Sequence, residues 1–99
     1  MYGSPVGTRV MTSDGELIAA GDIIRVFNIH VVASGTTAPV ATLKNGGISG
    51  TTFIKQTGVA STGTTFDYGV NGVLFTNGCY VAQLPTDGTV LINFRKDLA

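Results

Sequence analysis

His30 and Cys79 are the only histidine and the only cysteine of the chain, and the two side chains best suited to proton transfer or nucleophilic attack. A triad would set His30 against an activated serine and a buried carboxylate. No Gly-x-Ser-x-Gly segment supplies that serine. His30 lies between Ile29 and Val31 in an apolar run, so it reads as a hydrogen-bonded structural residue. A reactive thiol needs a basic neighbour to lower its pKa. Cys79 has only Asn77, Tyr80 and Gln83 nearby, and reads as a small buried apolar residue. One His and one Cys do not supply the three or four ligands of a zinc site.

The acids carry little chemistry either. Asp14 and Asp87 precede glycine, Asp22 follows one, and Asp67 stands just before Tyr68-Gly69, all settings that favour turns. No Asp-x-Asp-x-Asp spacing gathers a calcium ion, and no Gly-x-x-x-x-Gly-Lys-Ser/Thr loop cradles a phosphate. No cofactor, metal or catalytic residue is therefore expected. Six basic residues balance six acidic ones, and Arg95-Lys96 is the only basic pair, so nothing predicts a nucleic-acid partner. The longest charge-free stretch, Tyr68 to Thr86, is broken by glycines, asparagines and Pro85, which excludes a membrane-spanning helix there. The start, Met1-Tyr2-Gly3-Ser4-Pro5, has neither a basic nor an apolar region of the secretory kind, and synthesis in a cytoplasm is expected.

The elements that hold these residues are strands. Five Asn-Gly or Asp-Gly pairs, at Asp14, Asn45, Asn71, Asn77 and Asp87, divide the chain, and such pairs accept positive φ at little steric cost. The segments between them are rich in Val, Ile, Phe, Tyr and Thr, which favour a pleated, half-buried surface. Residues 1–5 read as an extended arm and 6–99 as a single domain. That domain is expected to be all-β, an antiparallel β-sandwich or jelly-roll-like barrel of about eight short strands. Ile23 to Ala33 is the candidate central strand. Ile23, Arg25, Phe27, Ile29 and Val31 share the face that looks more core-like. The other face is also largely apolar, which calls for cover on both sides. Cys79 to Leu84 and Thr89 to Lys96 are read as a hairpin around Pro85 to Gly88. In the second of these, Val90, Ile92 and Phe94 alternate with Leu91, Asn93 and Arg95, the period of a strand with one buried face.

Charged residues make up 12% of the chain, against about 25% in ordinary soluble domains. Only three lysines and three prolines are available to guard sheet edges. A surface this poor in charge is expected to be covered by neighbouring subunits, as in an assembly.

Four segments resemble small β-rich virion proteins of tailed bacteriophages, of the kind found in phages of marine and cyanobacterial hosts. They are Tyr2-Gly3-Ser4-Pro5-Val6, then Ile24 through Val32, then Leu43-Lys44-Asn45-Gly46, and Thr65-Phe66-Asp67-Tyr68-Gly69 continuing through Gly72 to Val81. Thr76 departs from the pattern, where proline is expected. The resemblance implies a non-enzymatic structural role, foremost a capsid decoration or cement protein, and otherwise a neck or tail adaptor or a fibre component. It implies a virion location and a homo-oligomer, a trimer foremost, bridging the major capsid protein or other virion subunits. The interface residues expected on this reading are Tyr2, Val6, Tyr68, Val70, Leu74 and Tyr80. The alternative from another class is a carbohydrate-binding host-attachment module using Tyr68 and Tyr80.

Overall fold

The computed structural model describes residues 7–33, 37–60, 62–84 and 88–97. The arm at 1–5, and with it Tyr2 and Val6, lies outside the described residues. Nine strands and no helix occur among those described: β1 (Gly7–Met11), β2 (Gly15–Ile18), β3 (Ile23–Val32), β4 (Val40–Asn45), β5 (Thr51–Thr57), β6 (Gly63–Asp67), β7 (Val73–Phe75), β8 (Cys79–Leu84) and β9 (Thr89–Asp97).

They form two antiparallel sheets. One runs β1-β9-β3-β6, with β7 also paired to β3, and the other runs β2-β8-β4-β5. β6 and β7 follow one another along the same margin of β3, opposite residues 28–32 and 24–26. Taken as one interrupted strand, they leave eight strands in a nested order. The first pairs with the last, the second with the seventh, the third with the sixth, and the fourth with the fifth. A long hairpin rolled into two sheets gives this order, which is that of a jelly roll. The all-β sandwich expected from turn density and strand residues is the fold observed.

The inner faces meet in a continuous core. Ile24, Val26, Ile29, Val31, Val90, Ile92 and Phe75 come from the first sheet; Leu17, Leu43, Cys79 and Val81 come from the second, and none is more than 1% exposed. Burial on this scale is the main favourable term of the fold, at roughly 1.5–3 kcal/mol per large side chain.

Three local readings are corrected. β8 and β9 are not a hairpin: β8 belongs to the second sheet and β9 to the first. In the nested order every consecutive pair except β4–β5 and β6–β7 passes from sheet to sheet, and the turn residues of such an arch are those of a hairpin. Glu16 to Ala20, which the Asp14-Gly15 turn suggests as a short return strand, instead pairs through Gly15–Ile18 with β8 and not with β1. The faces of β3 also change partway. Val26 pairs with Phe94 and Asn28 with Asn93, so Phe27 is an extra residue, a β-bulge. Ile24 and Val26 point inward before it, and Ile29 and Val31 after it. The two apolar faces of this strand are thus largely one buried face that changes parity, and Arg25 lies on the outer side opposite Leu74.

Candidate interface

A sandwich must close its two open sides, where the margins of its sheets face one another. On one side Arg9, inside the first-sheet edge strand β1, donates from Nη1 to the Leu17 carbonyl of β2 at 2.8 Å. On the other, Phe53 of β5 leans across to Phe75 of β7, with ring centroids 5.2 Å apart. Phe53 is itself an extra residue, because Leu43 pairs with Ile54 and Lys44 with Thr52. The bulge turns its ring toward the gap and leaves it 42% exposed.

Tyr68 fills the same side. Its backbone N–H donates to the Phe27 carbonyl at 2.9 Å, so the break between β6 and β7 falls level with the β3 bulge. The ring packs on the core cluster. Its hydroxyl oxygen is shut off from solvent and makes no well-formed hydrogen bond among the described residues. Burial raises the phenol pKa, and the nearby Gln56 side chain draws it partly back.

The chain then leaves the sheet for residues 69–72. Gly69 donates its N–H to the Asp67 carboxylate at 2.9 Å, and Arg25 donates from Nη1 to the Asn71 carbonyl at 2.9 Å. Gly72, at φ 63°, lies so near β3 that a Cβ would fall 2.6 Å from the Val26 carbonyl oxygen. Only glycine combines that φ with that approach. The result is a braced projection with Val70 at its tip, 92% exposed, and Leu74 at its base, 38% exposed.

Of the residues expected at an interface, Tyr68, Val70 and Leu74 are thus brought onto one margin, with Tyr68 turned inward and the other two outward. Tyr80 is elsewhere. It lies half-buried on the outer face of the second sheet, in register with Glu16 and Lys44. Tyr2 and Val6 lie outside the described residues. Four further exposed apolar residues were not anticipated: Val10, Ile48, Phe53 and Val59. The alternation in Arg9-Val10-Met11 puts a charged residue on the face of Met11 and so does not point Val10 outward; the other three stand on a bulge or in loops, where no period applies.

The outer face of the first sheet is polar at its centre. Thr8, Asn93, Asn28 and Asp67 fall in one cross-strand row. Thr8 donates to the Asn93 side-chain carbonyl at 2.5 Å, and Asn93 donates to that of Asn28 at 2.5 Å. In the next row His30 Nδ1 lies 2.7 Å from the Thr65 hydroxyl. This is the hydrogen-bonded setting expected for the histidine. Cys79 is fully buried in the other sheet, and burial pushes its thiol up to about 12. The two reactive side chain types therefore sit in different sheets. Among the described residues no three His, Cys, Asp or Glu side chains gather as a metal site.

The few cations are largely turned toward the protein itself. Lys44 donates to the Ile48 carbonyl at 2.9 Å, Arg95 lies 5.4 Å from the centre of the Phe27 ring, and Lys96 pairs with Asp22 at 3.3 Å. With Arg9 and Arg25 on backbone carbonyls, only Lys55 stands exposed without such a contact among the described residues. One of these contacts, Lys96 with Asp22, offsets charge with charge; the others keep their charge and hold it against the chain. No protein-family model matches the chain, and no curated protein is similar to it.

Proposed function

We propose that this protein is a non-enzymatic structural subunit of a phage virion, a capsid decoration or cement protein that oligomerises and bridges coat subunits. The observation that carries the reading is the braced projection of residues 68–75, which holds Val70 almost wholly in water on a chain with few charged residues. An apolar tip fixed by Arg25, Asp67 and the Gly72 approach costs little further ordering when it docks. The resemblance of the Thr65 to Val81 segment to phage virion proteins points to the major capsid protein as the surface it meets. Jelly rolls serve in viral capsids and in lectins alike, so the topology by itself does not choose between them. The placement of Tyr68, with its ring on the core and its hydroxyl shut in, favours assembly over glycan stacking.

A standard interface removes roughly 800 Å² per partner, a sizeable share of the 5214 Å² surface of this chain. Saturable binding of the purified chain to tailed-phage capsids lacking it, with density on the shell exterior, is the expected result. Density at the neck or tail fibres instead would transfer the role to an adaptor or fibre component. Binding to a glycan array with none to capsids would overturn the reading.

A further inference from the structure

Asn-Gly occurs three times, at Asn45-Gly46, Asn71-Gly72 and Asn77-Gly78. In this dipeptide the backbone nitrogen of the second residue readily attacks the side-chain amide of the first, because glycine sets no Cβ in the way. We propose that Asn71 is a site of spontaneous conversion to aspartate and isoaspartate in the folded protein, and that the fold protects Asn45 and Asn77.

The protected pair is knitted into the loops at one end of the sandwich. The Asn77 side-chain oxygen accepts from Gly21 N–H at 2.7 Å, and its own N–H donates to the Asn45 side-chain oxygen at 2.9 Å. The Asn45 amide nitrogen donates to the Thr76 hydroxyl at 3.3 Å. The glycines that follow are also enclosed. Gly78 N–H donates to the Asp22 carbonyl at 2.6 Å, and both Gly46 and Gly78 are buried. Neither asparagine side chain can swing onto the following nitrogen without breaking this lattice.

Asn71 differs in what holds its side chain. It is exposed, as Asn77 also is, but no hydrogen bond holds its side-chain amide among the described residues. Its backbone carbonyl is the group that Arg25 binds, which leaves the side chain free to turn. In the step, Gly72 nitrogen bonds to the Asn71 side-chain carbonyl carbon and the amide nitrogen departs as ammonia. The proton lost from Gly72 nitrogen balances the one the leaving group takes up. Water then adds to either carbonyl of the succinimide ring and opens it, giving aspartate or isoaspartate. No oxidant or reductant takes part.

Either product places a carboxylate beside Val70, within the charge-free run from Tyr68 to Thr86 and close to the Arg25 guanidinium. The isoaspartyl form also adds one carbon to the main chain just before Gly72, which has no room to spare against Val26. The projection is thereby changed in both charge and shape, whatever docks on it.

The test is to incubate the folded chain at mildly alkaline pH and map isoaspartate by methyltransferase labelling and peptide mass analysis. A parallel incubation in urea reads the three sites without the fold. The folded chain is expected to convert at Asn71 severalfold faster than at Asn45 or Asn77, and the unfolded chain at all three. Asn71→Gln should remove the label from the folded protein. Conversion at Asn45 or Asn77 as fast as at Asn71 in the folded chain overturns the proposal. So does a folded chain that stays intact at Asn71 while the unfolded one reacts there.

Discussion

Cys79 and Gly78 sit side by side at the start of β8, and each is fixed by its surroundings for a different reason. The Cys79 thiol is displaced from 9.0 to about 12 because burial penalises the thiolate. The unfolded chain releases that proton near the ordinary value and the folded chain holds it. The stability this contributes is whole below pH 9 and declines as pH rises toward 12, by roughly 1.4 kcal/mol per pH unit while only the unfolded state ionises. Tyr68 drives the same decline above 10, since its pKa is also raised. Urea melts from pH 8 to 11 should therefore show a steeper loss in the native chain than in Cys79→Ala. The thiol should also resist alkylation at pH 8 until the chain is unfolded. Gly78 holds φ 73° with the Ala19 carbonyl oxygen 2.3 Å from the place a Cβ would take. Gly78→Ala is expected to cost about 1–3 kcal/mol, read as a shift in the denaturation midpoint. The buried cysteine and the turn glycine were legible from sequence, because their neighbours state both roles. The lattice joining Asn45 to Asn77 was not: it is made by residues from separate turns, and no local pattern encodes which turns the topology brings together.

Among the elements, β9 followed its sequence pattern and β3 did not, and the difference is one residue. Val90, Ile92 and Phe94 keep a strict alternation, and Val90 and Ile92 are buried as that alternation requires. In β3 the extra Phe27 moves the inward parity from even to odd positions. A reading by period alone assigns half of that strand to the wrong face. Deleting Phe27 should join the two halves of β3 in one regular alternation, with Ile24, Val26, Ile29 and Val31 still inward and Asn28 and His30 still outward. That chain is expected to keep dispersed amide NMR signals but to unfold at lower urea, because the carbonyl that takes the Tyr68 N–H is removed with Phe27. Phe75 sits in a three-residue strand, yet it is the largest fully buried side chain and the partner of Phe53. Phe75→Ala should lower stability by about 3–5 kcal/mol in chemical denaturation. The arches between sheets were illegible for a plain reason: a tight turn within a sheet and one between sheets draw on the same small residues.

For the molecule as a whole, the few charged residues and the exposed Val70 tip predict self-association or docking through the margin that carries β6 and β7. Val70→Asp should leave the denaturation midpoint within about 0.5 kcal/mol of the parent, because the side chain packs on nothing. In sedimentation it should abolish oligomers that the parent chain forms. A parent chain that stays monomeric at high concentration would remove the support for an assembly role. The nested strand order has a further result, for biosynthesis. β9 lies between β1 and β3, so the ninth strand in sequence closes the gap between the first and the third. A nascent chain halted before residue 89 holds two long bare strand margins with no partner to receive them, and it is during that interval on the ribosome that misassociation threatens this protein most.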